Sequence, residues 1–205
     1  MFDRQVMESF YKNAKTASDL PWHREEPDTF LVDAIESRGE PGKALDLGCG
    51  TGVFSVYLAK QGYVVTAIDL IPRALEMAGE RARDEGVEIT LGNVDILTWK
   101  TDEKFDVVLD SGCLHSLIGG DRYRYRSQLF SWLAPGGDDI LGHFGKRHIF
   151  DWRPIGPKRR TRKQIVEFFA PELEELKYEQ QLLTGIPFPI GRTVQGQGFW
   201  FRRKP

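Results

Sequence analysis

Apolar and polar positions follow two alternating periods along this chain, one of helices and one of buried strands. Phe2, Val6 and Phe10 recur at intervals of four with Met7 and Tyr11 beside them, which predicts an amphipathic helix over residues 2–15. A turn at Asp19-Leu20-Pro21-Trp22-His23 follows, and Pro27 and Asp28 then introduce a second helical stripe of Phe30, Leu31, Ala34 and Ile35. Beyond Glu40-Pro41-Gly42 the chain settles into strand-helix alternation. Residues 44–47 form a short apolar run around Asp46, and Val53, Val56, Tyr57 and Leu58 mark the next helix. The nearly continuous β-branched and apolar run 63–68 reads as a strand covered on both faces and ends at Asp69. Pro72 suits the first turn of a helix through Ala74, Leu75, Met77 and Ala78 towards Arg83.

The second half continues the pattern. Residues 87–91 alternate as a third strand and 105–110 form a fourth. A helix over 121–133 carries Tyr125, Leu129, Phe130 and Leu133 on one side. Ala134-Pro135-Gly136-Gly137 stops that helix. Asp138 and Asp139 then stand where a fifth strand is due, so either the strand begins at Ile140 or its start is exposed. Thr161 caps a short helix through Ile165, Phe168 and Phe169. Residues 173–183 and 197–203 are the closing strands, with Phe199, Trp200 and Phe201 suited to cover on both faces.

Composition adds bounds to this picture. At 205 residues and 40% hydrophobic content the chain suits one α/β domain with one core. Cys49 and Cys113 provide neither a disulfide framework nor a zinc spacing, so no metal is expected. With no signal peptide and no long apolar run, the expected compartment is the cytosol. The net charge of −2 gives no general reason for a polyanionic partner. One stretch departs from that balance: Lys146, Arg147, Arg153, Lys158, Arg159, Arg160, Arg162 and Lys163 surround the single acid Asp151. A solvated loop and basic helix start is the plain reading, and an RNA-binding patch is the alternative.

Candidate chemistry centres on Asp46-Leu47-Gly48-Cys49-Gly50-Thr51-Gly52, a strand that ends in a glycine-rich turn and opens into a helix. Without a Cβ, glycine turns sharply and lets a ligand approach the backbone. A dinucleotide fingerprint needs a third glycine at position 53, where this chain has Val53, and this weakens the nicotinamide reading. Asp69 follows Asp46 at the tip of the second strand, placed to accept hydrogen bonds from ribose hydroxyls. Read on spacing alone, the pair indicates an adenosine ligand without naming it.

The order Asp-x-Gly-x-Gly-x-Gly at 46–52, acid at Asp69, acid at Asp95, loop after Asp110 and Leu-x-Pro-Gly-Gly at 133–137 resembles the class I S-adenosylmethionine-dependent methyltransferases. The resemblance is strongest over 44–137 and weakest in the first 40 residues and the basic segment. Pro21-Trp22 before a helix is similar to the thiopurine S-methyltransferase-like, small-molecule branch. The resemblance implies a Rossmann-like three-layer α/β sandwich with a seven-stranded, mostly parallel sheet and a closing antiparallel hairpin. It implies one domain over 1–205, with 1–40 a helical cap and 146–163 a basic, aromatic-containing insertion on the substrate side.

It further implies S-adenosyl-L-methionine as the cofactor, held by Asp46, Gly48, Cys49, Gly50, Gly52, Asp69, Leu70, Asp95, Ile96 and Asp110. Asp95 would accept a hydrogen bond from the adenine amino group, and Asp110 and the backbone after it would lie near the methionine amino group. The Asn/Asp-Pro-Pro-aromatic motif of enzymes that methylate exocyclic amines is missing after Asp110, which turns the expectation to a small-molecule acceptor and away from nucleic acid. Tyr11, Trp22, His115, Phe144 and Trp152 are the candidates for that acceptor's pocket, although Trp22 equally suits core filling. His115 is the candidate base, since imidazole accepts a proton near neutral pH, or it orients the acceptor without taking its proton. A non-catalytic S-adenosylmethionine-binding protein and an RNA methyltransferase using the basic segment are the alternatives.

Overall fold

The computed structural model describes residues 4–146, 151, 157–184 and 193–205. Its frame is a seven-stranded sheet built from β1 (Lys43–Leu47), β2 (Val64–Asp69), β3 (Thr90–Asn93), β4 (Phe105–Asp110), β5 (Leu133–Gly145), β6 (Leu173–Thr184) and β7 (Thr193–Arg203). The order across the sheet is β3-β2-β1-β4-β5-β7-β6. Strands β1 to β5 pair in parallel, whereas β7 lies antiparallel between β5 and β6. The expected Rossmann-like three-layer sandwich with its closing hairpin is therefore the observed fold.

Helices α1 (Arg4–Asn13), α2 (Thr29–Arg38), α3 (Val53–Lys60), α4 (Pro72–Asp84), α5 (Asp121–Trp132) and α6 (Arg162–Phe169) supply the outer layers. Alternation within the strands decides which layer each residue meets. Leu45, Leu47, Val108, Leu141, Phe199 and Phe201 pack with Tyr125, Leu129 and Trp132 of α5 and Ile165 and Phe169 of α6. Ala44, Val65, Ala67, Val107, Leu109 and Ile140 pack on the other face with α2, α3 and α4. Helix α1 lies outside this second layer, where Tyr11 and Ala14 meet Ile71, Ala74 and Met77. Among the described residues, no helix is long and apolar enough to cross a membrane.

Three sequence expectations are corrected. The third strand starts at Thr90 rather than Val87, because Gly86 turns back with φ 66° and the Val87 N–H bonds the Ala82 carbonyl. That closure of α4 takes up the residues that alternate. The last strand starts earlier than Gln197, at Thr193, since β6 offers it a full-length partner. The fifth strand is already paired at Leu133, bulges over residues 134–137 and resumes at Asp138 opposite Val107.

Both acids of that strand are buried, so neither reading of Asp138 and Asp139 holds. Asp138 faces α2 and is neutralised by Arg38 at 2.6 Å and by Arg202 at 2.8 and 3.0 Å. Asp139 faces the α5 side, fully buried, with no hydrogen-bond partner on either oxygen among the described residues. Burial, and then the charges of Asp110 and Asp138, push its pKa well above the usual carboxylate range. The unfolded chain ionises this group near pH 4, whereas the folded chain releases the proton only at higher pH. Its contribution to stability is thus present at low pH and lost as pH rises towards the folded value. An Asp139→Asn variant should match the wild type near pH 4 and exceed it in stability at pH 8. Denaturant melts at the two pH values check this, and equal differences at both would contradict it.

Candidate active site

The residues anticipated for donor binding lie at or just beyond the carboxyl ends of β1, β2, β3 and β4, and the strand order reverses between β1 and β4. Three glycines turn the chain out of β1 with φ of 64° at Gly48, 56° at Gly50 and 76° at Gly52, a region that other residues enter only with strain. A Cβ at Gly48 would lie 2.6 Å from Cys113 Sγ, and one at Gly50 would lie 3.1 Å from Tyr11 Oη. The loop is thus bounded by the turn after β4 on one side and by α1 on the other. Gly52 has a different task, since its Cβ would fall 2.8 and 2.9 Å from Cβ and Cα of Ala78 in α4. It lets two helices touch.

Asp69 ties this loop to the next helix. One carboxylate oxygen accepts the Gly50 N–H at 2.9 Å and the other accepts the Ile71 N–H at 2.8 Å. Each oxygen retains a lone pair, as a ribose-binding acid requires. Burial raises the Asp69 pKa, while the Ile71 and Gly50 amides oppose the shift. Leu70 beside it is half-buried at the rim. Asp46 points to the α3 side, where Ser55 Oγ donates to it at 2.5 Å. Burial lifts Asp46 to about 7, against the Ser55 hydrogen bond and with help from the charges of Asp69 and Asp110. Asp46 therefore anchors α3 beneath the loop, with Cys49 buried beside it.

Asp110 and Asp95 are held by local backbone. Asp110 accepts N–H groups from Gly112 at 2.8 Å, Cys113 at 2.6 Å and Leu114 at 3.0 Å, and it is fully buried. Its carboxylate shapes the turn that carries His115. Asp95 accepts the Leu97 N–H at 2.8 Å and so caps the short turn after β3, while Ile96 packs on the core beside Val94.

The acceptor-side candidates divide into two groups. Tyr11 is buried over the glycine loop, and Trp22 stands edge-on to Phe10 at 5.2 Å and tilted to Tyr11 at 5.9 Å. With 39% of its surface exposed, Trp22 is no core filler. His115 and Phe144 meet elsewhere, their rings stacked 4.5 Å apart at the ends of the β4 turn and β5. Trp152 lies outside the described residues.

Sequence reasoning missed the partners of His115. His143 approaches it edge-on at 5.8 Å and pairs across the sheet with Gln197. His143 Nδ1 lies 2.8 Å from the Phe144 carbonyl, which only accepts, so Nδ1 carries the proton and Nε2 is a bare acceptor. Gln197 donates to Tyr178 Oη at 2.9 Å and Tyr178 Oη lies 3.1 Å from Gln180 Oε1. Among the described residues, Gln197 Oε1 and His115 Nδ1 have no hydrogen-bond partner. Burial lowers His115 to about 4 and His143 to about 3. Cross-strand pairing at the end of a long strand is a tertiary signal, and only the polar His143 in an apolar run hinted at it.

A sheet whose order reverses beside a glycine turn and a ribose-type acid defines a doubly wound, nucleotide-binding class of domain. The family model described as Methyltransferase domain matches residues 44–137, the span from β1 to the bulge of β5. The match and the relatives below support a class I S-adenosylmethionine-dependent methyltransferase. The match is to the general domain and carries the class, not the thiopurine S-methyltransferase-like branch. The chain is 28% identical over 201 residues to the 2-heptyl-1-hydroxyquinolin-4(1H)-one methyltransferase of Mycobacteroides abscessus, covering 96% of this chain and 84% of that protein. It is 35% identical over 187 residues to the trans-aconitate 2-methyltransferase of Mycobacterium tuberculosis, covering 87% of this chain and 60% of that one. In fold it is similar to the N-methyltransferase NodS from Bradyrhizobium japonicum, solved with S-adenosyl-l-homocysteine, at a TM-score of 0.76 and 23% identity over 98% of each chain.

Proposed function

We propose that this protein transfers a methyl group from S-adenosyl-L-methionine to a small organic acceptor by direct in-line displacement. The single observation that carries the reading is Asp69, whose carboxylate holds the glycine loop by the Gly50 N–H while keeping lone pairs free at the switch point. The donor suits these residues: Asp69 would take its ribose hydroxyls, Asp95 and Ile96 would border its adenine, and the backbone at 48–50 and after Asp110 would line the rest. When bound, it supplies a sulfonium methyl that an acceptor's lone pair displaces. The chain's task is to align the acceptor, exclude water and receive any proton released. Both relatives named above are methyltransferases named for small organic acceptors. We read residues 1–205 as one domain, with 1–40 as its cap and 146–163 on the acceptor side, acting in the cytosol without a nucleic-acid partner.

His115 is proposed to orient the acceptor through a neutral imidazole. A group held near pKa 4 stays unprotonated across the physiological range and is a weak base. The profile of kcat/KM should therefore show no histidine inflection between pH 6 and 7, and His115→Gln should lower turnover without changing donor affinity. An inflection near pH 6.5 that vanishes in the variant would assign His115 the role of base. Calorimetric titration with S-adenosylhomocysteine, followed by transfer of labelled methyl to a metabolite panel, tests the function as a whole. Tight binding of NADH with no binding of S-adenosylhomocysteine would overturn it.

A further inference from the structure

Three shielded polar side chains form a continuous row from the turn after β4 across the ends of β5 and β7. His143 and Gln197 stand directly opposite each other in the β5–β7 ladder, so their side chains leave the sheet on the same face. His115 meets His143 edge-on at 5.8 Å and lies nearly parallel on the Phe144 ring at 4.5 Å, which joins the turn to the strand. His143 and Gln197 are only 3% and 7% exposed. Among the described residues, His143 Nε2, Gln197 Oε1 and His115 Nδ1 are buried with no hydrogen-bond partner. Native interiors rarely leave such atoms unpaired, and three in one row point to a shared ligand.

The chemistry of the row has one sign. The proton on His143 Nδ1 is committed to the Phe144 carbonyl at 2.8 Å, so Nε2 offers only a lone pair. Gln197 Nε2 donates to Tyr178 Oη at 2.9 Å, and that hydroxyl donates onward to Gln180 Oε1 at 3.1 Å, which leaves the Gln197 carbonyl oxygen as the free end of the amide. Burial lowers His115 to about 4 and His143 to about 3, so both rings are uncharged near neutral pH. A carboxylate brought here would exchange its hydration for lone pairs, whereas an O–H or N–H would be bound. Gly145 makes the room for this arrangement, since a Cβ there would lie 2.7 Å from Gln197 Cδ and 3.0 Å from its Nε2. The turn that carries His115 also touches the donor loop, where a Cβ at Gly48 would lie 2.6 Å from Cys113 Sγ.

We propose that His143 and Gln197 select the methyl acceptor by accepting hydrogen bonds from an O–H or N–H on a planar ring that lies along the His115 and Phe144 rings. This rests on the methyltransferase reading and names the acceptor class within it: a neutral ring bearing a hydroxyl or an amine, in preference to a carboxylate. Tyr178 is a positioning residue, acting through the Gln197 amide.

The test titrates the full chain with 1-naphthol against 1-methoxynaphthalene, 1-naphthylamine against its N,N-dimethyl counterpart, and 1-naphthoate, with and without saturating S-adenosylhomocysteine. At least one of the two donor-bearing rings should bind roughly tenfold or more tightly than its methylated counterpart and than 1-naphthoate. His143→Phe should bring that pair to near equality and leave S-adenosylhomocysteine affinity unchanged. Gly145→Ala should do the same by displacing the flexible end of Gln197, a change the fold can absorb even if His143→Phe does not fold. Tyr178→Phe, which releases the Gln197 amide, should retain part of the preference. The proposal is overturned if neither donor-bearing ring is preferred, if 1-naphthoate binds most tightly, or if the full preference survives in either His143→Phe or Gly145→Ala. Failure of S-adenosylhomocysteine to bind would instead sink the donor reading, and the titrations without it still report on His143 and Gln197.

Discussion

Replacing Asp69 with alanine should weaken S-adenosylhomocysteine binding by about 1.5 to 3 kcal/mol, roughly ten- to 150-fold in the dissociation constant. Sequence position alone motivates this through lost hydrogen bonds to ribose hydroxyls. The structure adds a second cause, because the Gly50 and Ile71 amides lose their acceptor at the same time. The loop then loses the contact that sets its distance from α4. Asp69→Asn separates the causes: its amide oxygen replaces one acceptor, while its NH2 faces a backbone N–H where a carboxylate oxygen stood. Its affinity should fall between wild type and alanine. Calorimetry on variants with wild-type circular dichroism measures the effect, and an unchanged dissociation constant for Asp69→Ala would remove this residue from the donor site.

Gly52→Ala should cost stability more than any other substitution in the loop. Forcing a residue with a Cβ to φ 76° costs about 1 to 2 kcal/mol. Crowding the Ala78 backbone adds about 1 to 3 kcal/mol, since α3 and α4 must part to relieve it. For a chain of this size the sum lowers Tm by roughly 5–15 °C. Gly86→Ala is the control, because Gly86 shares a positive φ of 66° yet its Cβ would meet nothing within 4 Å. It should incur only the backbone part. Calorimetric melts of both variants give the packing term by difference, and a Gly52→Ala melt no lower than that of Gly86→Ala would show that the helices do not meet as described.

How far the sequence could be read varies with the kind of interaction. Glycine spacing, the acid ending β2 and the period of each apolar run are local properties, and they predicted the strand-turn-helix units where the structure has them. Edges were less legible: residues 87–89 alternate like a strand, but the closure of α4 takes them up. Asp138 and Asp139 looked solvent-facing because two adjacent carboxylates are costly to bury. The first is buried because Arg38 and Arg202, 100 and 64 residues away, converge on it. The second is buried beside Asp110 and Asp138, and burial raises its pKa.

The candidate site follows the same division. Asp69 was legible because a ribose acid needs only its place at a strand tip. Its grip on the Gly50 amide was not, since that depends on how the loop folds back. Asp110 was expected to lie near the cofactor, and its hold on three amides of the following turn depends on how that loop folds back. Gly52 was grouped with the glycines of the donor loop, and its close approach to Ala78 of α4 is a tertiary contact. By itself the sequence determined the parallel α/β class and the glycine turn after β1, because these rest on periodicity and short-range spacing. Tertiary structure alone decided that His115 meets His143 and Phe144 and that Tyr11 closes over Gly50. Such groupings bring distant residues within a few ångströms, and their energies depend on burial and on neighbours that no single stretch of chain contains.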